Sequence, residues 1–347
     1  MVDKQQLIHF DSDYLCLAHP AIVQRMAEEV LVPHTGYGCD EISEHARQRI
    51  REVCGCETAL VEFLTGGTQT NAVVIDALLA SYQGVLGADT AHIGMHEAGA
   101  IEAMGHKVIT LPSHEGKISA ETVDSYMKAF CGDESWEHCA QPGMVYITFP
   151  TEYGSVYTLS ELEDLHAVCK RHRLWLYLDG ARIGYGLAAA GTDVTLKDIA
   201  CLCDAFYLGG TKCGAMFGEA VVIPRAGIVS HFFTQIKRHG ALLAKGWSCS
   251  LQFDTLLSDD LYFKITRYGV EMGQRLKEQL VQKGYRLLQD SPTNLLFFVL
   301  DNRQLTLWRR LATFDIWEKR ADGRAIVRLV TSWSTREEEI HDFVAQV

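Results

Sequence analysis

The stretch DAFYLGGTKCGAMFGEAVVI, residues 204–223, decides the fold. Two apolar runs, 205–208 and 220–223, read as buried strands, and the glycine-rich turn between them carries Lys212. Gly209, Gly210 and Gly214 let the backbone take positive φ and let a large planar group come close. A lysine held between buried strands loses solvation, which lowers its ammonium pKa and leaves a nucleophilic amine, as a Schiff-base lysine requires. Taken by itself, GGTK reads more simply as a solvated turn with its lysine in water.

Outward from this turn the chain alternates apolar runs with helical stretches. ALVEFL (59–64), GVLGAD (84–89), KVITLP (107–112), GMVYIT (143–148) and LWLYLD (174–179) read as strands, and AFYLG and EAVVI complete the series. Between them AVVIDALLASY, HEAGAIEAMG, ISAETVDSYMKAF and LSELEDLHAVCKRH read as helices. Strands separated by helices imply a mainly parallel sheet covered on both faces, whose ligands sit outside the carboxyl ends of the strands. After Trp247 the rhythm changes: a helix (YFKITRYGVEMGQRLKEQLVQKG), the strand LLFFVL (295–300), a helix near LTLWRRLATF, the strand AIVRLV (325–330) and a last helix from Thr335. The reading is α/β with an N-terminal arm over 1–20, a large domain over 21–250 and a smaller α+β domain over 251–347. No internal repeat or low-complexity tract interrupts it.

The 347 residues are 48% apolar and 22% charged, the balance of a globular protein. A formal net charge of −12 argues against nucleic-acid and anionic-membrane partners. MVDKQQLIHFDSD contains no apolar core segment, so no signal peptide is expected, and no run approaches the ~20 apolar residues of a spanning helix. The eleven cysteines include the pairs Cys54-Gly-Cys56 and Cys201-Leu-Cys203 but no CxxC repeat, which points to reduced thiols in the cytoplasm.

Three further stretches carry chemistry. Gly66-Gly67-Thr68-Gln69-Thr70-Asn71 joins a strand to a helix N-terminus, where backbone N–H groups and the Thr68 hydroxyl suit a phosphate, or where Thr or Asn simply caps the helix. In Leu178-Asp179-Gly180-Ala181-Arg182 the carboxylate of Asp179 ends an apolar strand and needs a partner, either a pyridinium nitrogen or Arg182 in an ion pair. Arg328 lies inside AIVRLV, where a carboxylate partner would offset its burial unless the strand edge lets it reach water.

Together GGTQTN, LDGARIG, GGTKCGAMFGEAVV and IVRLVTSW resemble the threonine aldolases, in the β-eliminating lyase and aldolase group of fold-type-I pyridoxal-phosphate enzymes. The similarity runs in order from Asp11-Ser12-Asp13 to the last helix and is greatest to the low-specificity branch, whose lysine lies in GGTK rather than SKG. The resemblance implies a seven-stranded, mainly parallel sheet and pyridoxal 5'-phosphate as cofactor. It implies Lys212 as the cofactor-bearing lysine, Asp179 beside the pyridine nitrogen, Gly67 and Thr68 at the phosphate and Arg182 beside the phenolic oxygen and the substrate. His92 corresponds to the histidine that stacks on the cofactor ring, and Ser12 and Arg328 to the residues that hold the substrate carboxylate. Tyr37 matches a tyrosine that reaches a neighbouring subunit's site, and Lys237, Arg238 and Lys245 lie where the family places a cross-subunit cation. A homodimer or homotetramer with sites at the interface is implied as well.

The chain departs from the family in one turn. Where many members carry a histidine, it reads Thr151-Glu152-Tyr153-Gly154. The base for the substrate's β-hydroxyl is then His92, Glu152 with a pKa raised by burial, or a water that they hold; Glu97 and His96 lie close by in sequence. The expected activity is retro-aldol cleavage of β-hydroxy-α-amino acids such as L-threonine and L-allo-threonine to glycine and an aldehyde. A β-eliminating lyase, an aminotransferase or a non-catalytic cofactor-binding protein would use the same scaffold. No metal ligand is assigned.

Overall fold

In a computed structural model that describes residues 7–347, the apolar runs become strands because each is too short for a helix and rich in Val, Ile, Leu, Tyr and Phe. The first six positions of the expected arm lie outside the described residues. Seven strands form one sheet in the order Leu60–Leu64, Glu219–Ile223, Ala205–Gly209, Trp175–Asp179, Gln141–Thr148, Gln83–Ala88 and Val108–Leu111. Glu219–Ile223 runs antiparallel to both its neighbours and the other pairings are parallel. The carboxyl ends of the parallel strands therefore share one edge. Because Glu219 pairs with Gly209, the antiparallel strand begins at that same edge.

Two of these strand ends touch without side chains between them. Gly209 N–H donates to Gly180 O at 3.0 Å. A Cβ on Gly180 would sit 1.9 Å from Tyr207 O, and one on Gly209 2.3 Å from Ala181 O. Only glycine fits at either position, and the contact sets the spacing between Asp179 and the Lys212 turn.

A second sheet of four antiparallel strands has the order Asp315–Lys319, Ala325–Val330, Leu295–Leu300 and Arg286–Leu287. The helix Leu261–Gln282 joins the two cores: Tyr262 and Val270 bury into the larger apolar cluster, Met272, Leu276 and Leu280 into the smaller. The arm adds Phe10 to the smaller cluster. Its short strand Ile8–His9 lies parallel to Ala312–Thr313, and Val330 N–H donates to Phe10 O at 2.8 Å.

Several expectations are corrected. HEAGAIEAMG (96–105) is not one helix: its first four residues form a loop after the one-turn helix His92–Met95, and only Ala100–Ala103 within it is helical, because Ala98 and Gly99 take φ of 52° and 74°. The helix near LTLWRRLATF is Asn302–Trp308, started by Asp301 in a capping box, and Ala312–Thr313 is strand. The last helix begins at Glu337, two residues after Thr335. The strand Asp315–Lys319 was not expected at all. Among the described residues no helix is long and apolar enough to cross a membrane.

Candidate active site

The shared edge opens into a cavity of about 750 Å³. Eight residues singled out in the sequence line it: Gly67, Thr68, His92, Glu152, Asp179, Arg182, Lys212 and Arg328. Ser12 and Tyr37 stand outside its wall; from the arm, Tyr14 lines it instead.

Asp179 ends its strand fully buried and ringed by donors. Tyr146 and Asn71 donate to Oδ2 at 2.6 and 3.0 Å, while Tyr207 and the Ala181 N–H donate to Oδ1 at 2.5 and 3.0 Å. Burial alone would raise its pKa, but these four hydrogen bonds outweigh it and hold the carboxyl below its usual value, hence ionised. The expected alternative of an Asp179–Arg182 ion pair falls, because Arg182 turns to the arm. Its Nε and Nη2 donate to Asp13 Oδ2 and Oδ1 at 2.7 and 3.0 Å. Asn294 adds a 3.1 Å hydrogen bond to the same carboxylate. Asp13 is buried, yet the charge of Arg182 and then Lys212 hold it below the usual aspartate value. With Asp13 turned inward, Ser12 beside it is only half-buried and lies away from the cavity.

Arg328 does not reach water by a strand edge. It faces Asp315 across the register pair, ion-pairs with it, and lies 5.0 Å from the Trp317 ring centre. Its Nε is buried without a partner. Burial, and then the positive charge of Arg182, push Arg328 below the ordinary arginine value. Two guanidiniums on one cavity, the buried Nε of one of them without a partner, make a slot for an anion.

His92 heads its short helix, and its Nδ1 lies 2.8 Å from Glu97 Oε1. Glu97 also accepts from Asn71 at 2.7 Å, and its Oε2 is buried without a partner. Read as a hydrogen bond, the contact places the Nδ1 proton toward Glu97 and leaves the Nε2 lone pair for the cavity. Glu97 is thus a support for His92 rather than a second free acid. Glu152 accepts from the His92 N–H at 3.2 Å and from Thr148 Oγ1 at 3.0 Å, and burial raises its pKa. Lys212 follows the strand Ala205–Gly209; burial, and then the charge of Arg182, lower its pKa. The solvated-turn reading of GGTK does not hold.

The helix Gly67–Leu78 starts at the cavity with no side chain capping it, so its first N–H groups are free for an anionic group, and the plain N-cap reading falls. An anionic carboxylate, an uncapped helix start, a low-pKa lysine and an anion slot are the donor set that pyridoxal phosphate and an amino acid require. The residues fit the group.

Other expected residues lie apart from this chain's cavity. Lys237 Nζ stands 4.7 Å above the Tyr37 ring, Arg238 pairs with Asp76, and Lys245 adjoins Ala244, whose carbonyl accepts from the Tyr37 N–H at 2.9 Å. Sequence reasoning missed Asp13, Glu97's hold on His92, the Asn71, Tyr146 and Tyr207 donors, and Glu219. For Glu219 the signal was available: a charge heading the apolar strand EAVVI is the same anomaly that marked Arg328.

A family model described as beta-eliminating lyase matches residues 9–303. A low-specificity L-threonine aldolase from a Pseudomonas species is 28% identical over 320 residues, 90% of this chain and 88% of its own length. Among solved structures, the threonine aldolase of Leishmania major is 40% identical and superposes with a TM-score of 0.94 over 97% of this chain and 98% of its own. An aspartate aminotransferase variant from Thermus thermophilus, 15% identical over 98% of this chain and 90% of its own with a TM-score of 0.71, shares the fold-type-I architecture alone. With a family model spanning most of its length and a threonine aldolase matching almost all of it, the chain belongs to the beta-eliminating lyase family, as a pyridoxal-phosphate-dependent lyase.

Proposed function

We propose that this protein is a pyridoxal-phosphate-dependent aldolase that cleaves β-hydroxy-α-amino acids, L-threonine and L-allo-threonine among them, to glycine and an aldehyde. The observation that carries this reading is the pair of buried guanidiniums, Arg182 and Arg328, facing the same cavity as the low-pKa Lys212. Lys212 would hold the cofactor, Asp179 would face its pyridine nitrogen, and Gly67 and Thr68 at the helix start would take its phosphate, with His92 beside the ring. When bound, pyridoxal phosphate supplies an electron sink for the Cα of an amino acid.

Arg328 and Arg182 bind and orient the substrate carboxylate, so that the Cα–Cβ bond is the one presented for cleavage. His92 Nε2, steadied through Nδ1 by Glu97, takes the β-hydroxyl proton. Glu152, kept protonated to higher pH by burial, holds the His92 backbone in place and is the second candidate for that proton when ionised. The β-carbon leaves as the aldehyde carbonyl, and a proton delivered to Cα completes glycine.

The assembly we infer is a homodimer or homotetramer in which the loop of Tyr37 and one of Lys237, Arg238 and Lys245 serve a neighbouring site. The exposed run Val30, Leu31 and Val32, at 72%, 93% and 47%, supports self-association. Eleven free cysteines suit a reducing compartment, the cytoplasm.

The test is aldehyde release from L-threonine and L-allo-threonine by protein supplied with pyridoxal phosphate, with Lys212→Ala as control. Release that falls by at least ~10³-fold in the variant supports the reading; full activity in the variant overturns it. The family model favours one second reading, β-elimination, which would instead yield pyruvate and ammonia from serine or cysteine.

A further inference from the structure

One buried acid in the site plays no role in the chemistry above. Glu219 is 3% exposed, lines the cavity and opens the single antiparallel strand at the edge where Lys212 sits. Its carboxylate grips the two residues that precede Lys212. Thr211 Oγ1 donates to Oε1 at 2.9 Å, and the Gly210 N–H reaches Oε2 at 3.2 Å while also bonding Gly218 O at 3.0 Å. Thr211 Oγ1 in turn accepts from the Gly218 N–H at 3.1 Å, which fixes its own proton toward Glu219. On the far side of the lysine, Tyr185 donates to Lys212 O at 2.8 Å.

The charges around Lys212 are unequal in their attachments. Asp13 is bidentate to Arg182, and Asp179 takes four hydrogen bonds. Among the described residues Glu219 receives hydrogen bonds only from neutral donors, and Lys212 is the cation that draws it toward ionisation, while Asp13 and then Asp179 act on the lysine more strongly than Glu219 does. We propose that Glu219 is a positioning residue for Lys212, its carboxylate clamping the turn that carries the lysine and adding, beside Asp13 and Asp179, a counter-charge to the lysine nitrogen. The proposal rests on the reading of Lys212 as the cofactor-bearing residue.

The electrostatics agree with the geometry. Burial pushes Glu219 up to about 8, against the pull of the Thr211 hydroxyl and then of Lys212; burial pushes Lys212 down. Two buried groups whose pKa values are drawn toward each other gain and lose protons as a pair. Asp179 opposes ionisation of Glu219 from within the site. Tyr177, Tyr207, Tyr262, Cys213 and Cys249 face it from the surrounding elements, and burial, the largest cause for each, holds all five protonated. An ionised carboxyl favours the protonated form of a nearby nitrogen, so wherever Glu219 has given up its proton it keeps one on the lysine nitrogen to higher pH. With pyridoxal phosphate bound through Lys212, a proton on the lysine nitrogen would make the carbonyl-derived carbon joined to it the better electrophile for an incoming amine.

The measurement is the pH titration of the visible absorbance of the pyridoxal-phosphate-loaded protein. Glu219→Gln keeps the size of the side chain and one acceptor oxygen and removes the charge. Its titration midpoint is expected to fall by about one pH unit, roughly tenfold in proton affinity. Thr211→Val withdraws a hydrogen bond that favours the ionised carboxyl, and is expected to shift the midpoint the same way by less, with Thr211→Ser restoring it. A purely structural clamp would leave all midpoints at the wild-type value. Unmoved midpoints in Glu219→Gln and Thr211→Val overturn the proposal, and Thr211→Val decides it should the glutamine variant fail to fold. A wild-type protein that takes up no pyridoxal phosphate would overturn the cofactor assignment and this proposal together.

Discussion

Replacing Asp13 by alanine strands the Arg182 guanidinium in a buried position without its bidentate partner. Breaking such a pair costs about 3–5 kcal/mol, far more than the ~0–1 kcal/mol of an exposed ion pair. Urea unfolding is expected to show that loss, and the variant to bind substrate more weakly. The same carboxylate gives an acid limb to stability. Its folded pKa lies below the ordinary 3.8 because Arg182 and Lys212 outweigh burial. As pH falls, the unfolded chain therefore takes up the proton first. The stabilisation is whole above about pH 4 and is lost as pH drops through the lower folded value. An Asp13→Asn protein should lose less stability between pH 7 and pH 3 than wild type, measured as the shift in urea midpoint. Asp13 was not legible in advance: Asp11-Ser12-Asp13 offers two similar acids, and only the turn of the arm decides which one is buried.

The strands of the main sheet were legible because each is a short apolar run bounded by polar or glycine residues. The strand Asp315–Lys319 was not, since a register shift between Ile316 and Glu318 spoils its alternation and only one neighbour pairs with it. Yet that strand supplies Asp315 and Trp317 to Arg328. The helix expected over HEAGAIEAMG failed for a local reason: positive φ at Ala98 and Gly99 keeps the chain from becoming helical before Ala100, and Glu97 just before them reaches back to His92 and Asn71. The contact of Gly180 with Gly209 yields a test at this level. Gly180→Ala must push apart strands whose backbones already touch, at a cost of at least ~1–3 kcal/mol for the overpacking alone. Thermal unfolding should shift down, and uptake of pyridoxal phosphate should weaken because Asp179 and the Lys212 turn move away from each other.

The order of motifs along the chain made the architecture readable, but a surface that would meet another copy leaves little trace in any one motif. Val30, Leu31 and Val32 form an apolar run straight after the helix Pro20–Glu28, in a chain whose other apolar runs are mostly interior. Leu31→Glu is expected to lower the mass found by light scattering and reduce turnover with it, while a monomeric wild type would remove the basis for a shared site. The arm has a different consequence. Phe10 and Asp13 bond to Val330 and Asn294, and Asn294 stands 281 positions along the chain from Asp13, so docking of the arm closes a very long loop. Contacts of such long range form late because loop closure must come first, so the Lys212 turn and the Asp179 pocket are expected to order before Arg182 and Arg328 face each other. The arm is thus a latch expected to close last in refolding, and pulse-labelled hydrogen exchange should find the Val330 amide, which donates to Phe10 O, protected after the strands of the main sheet.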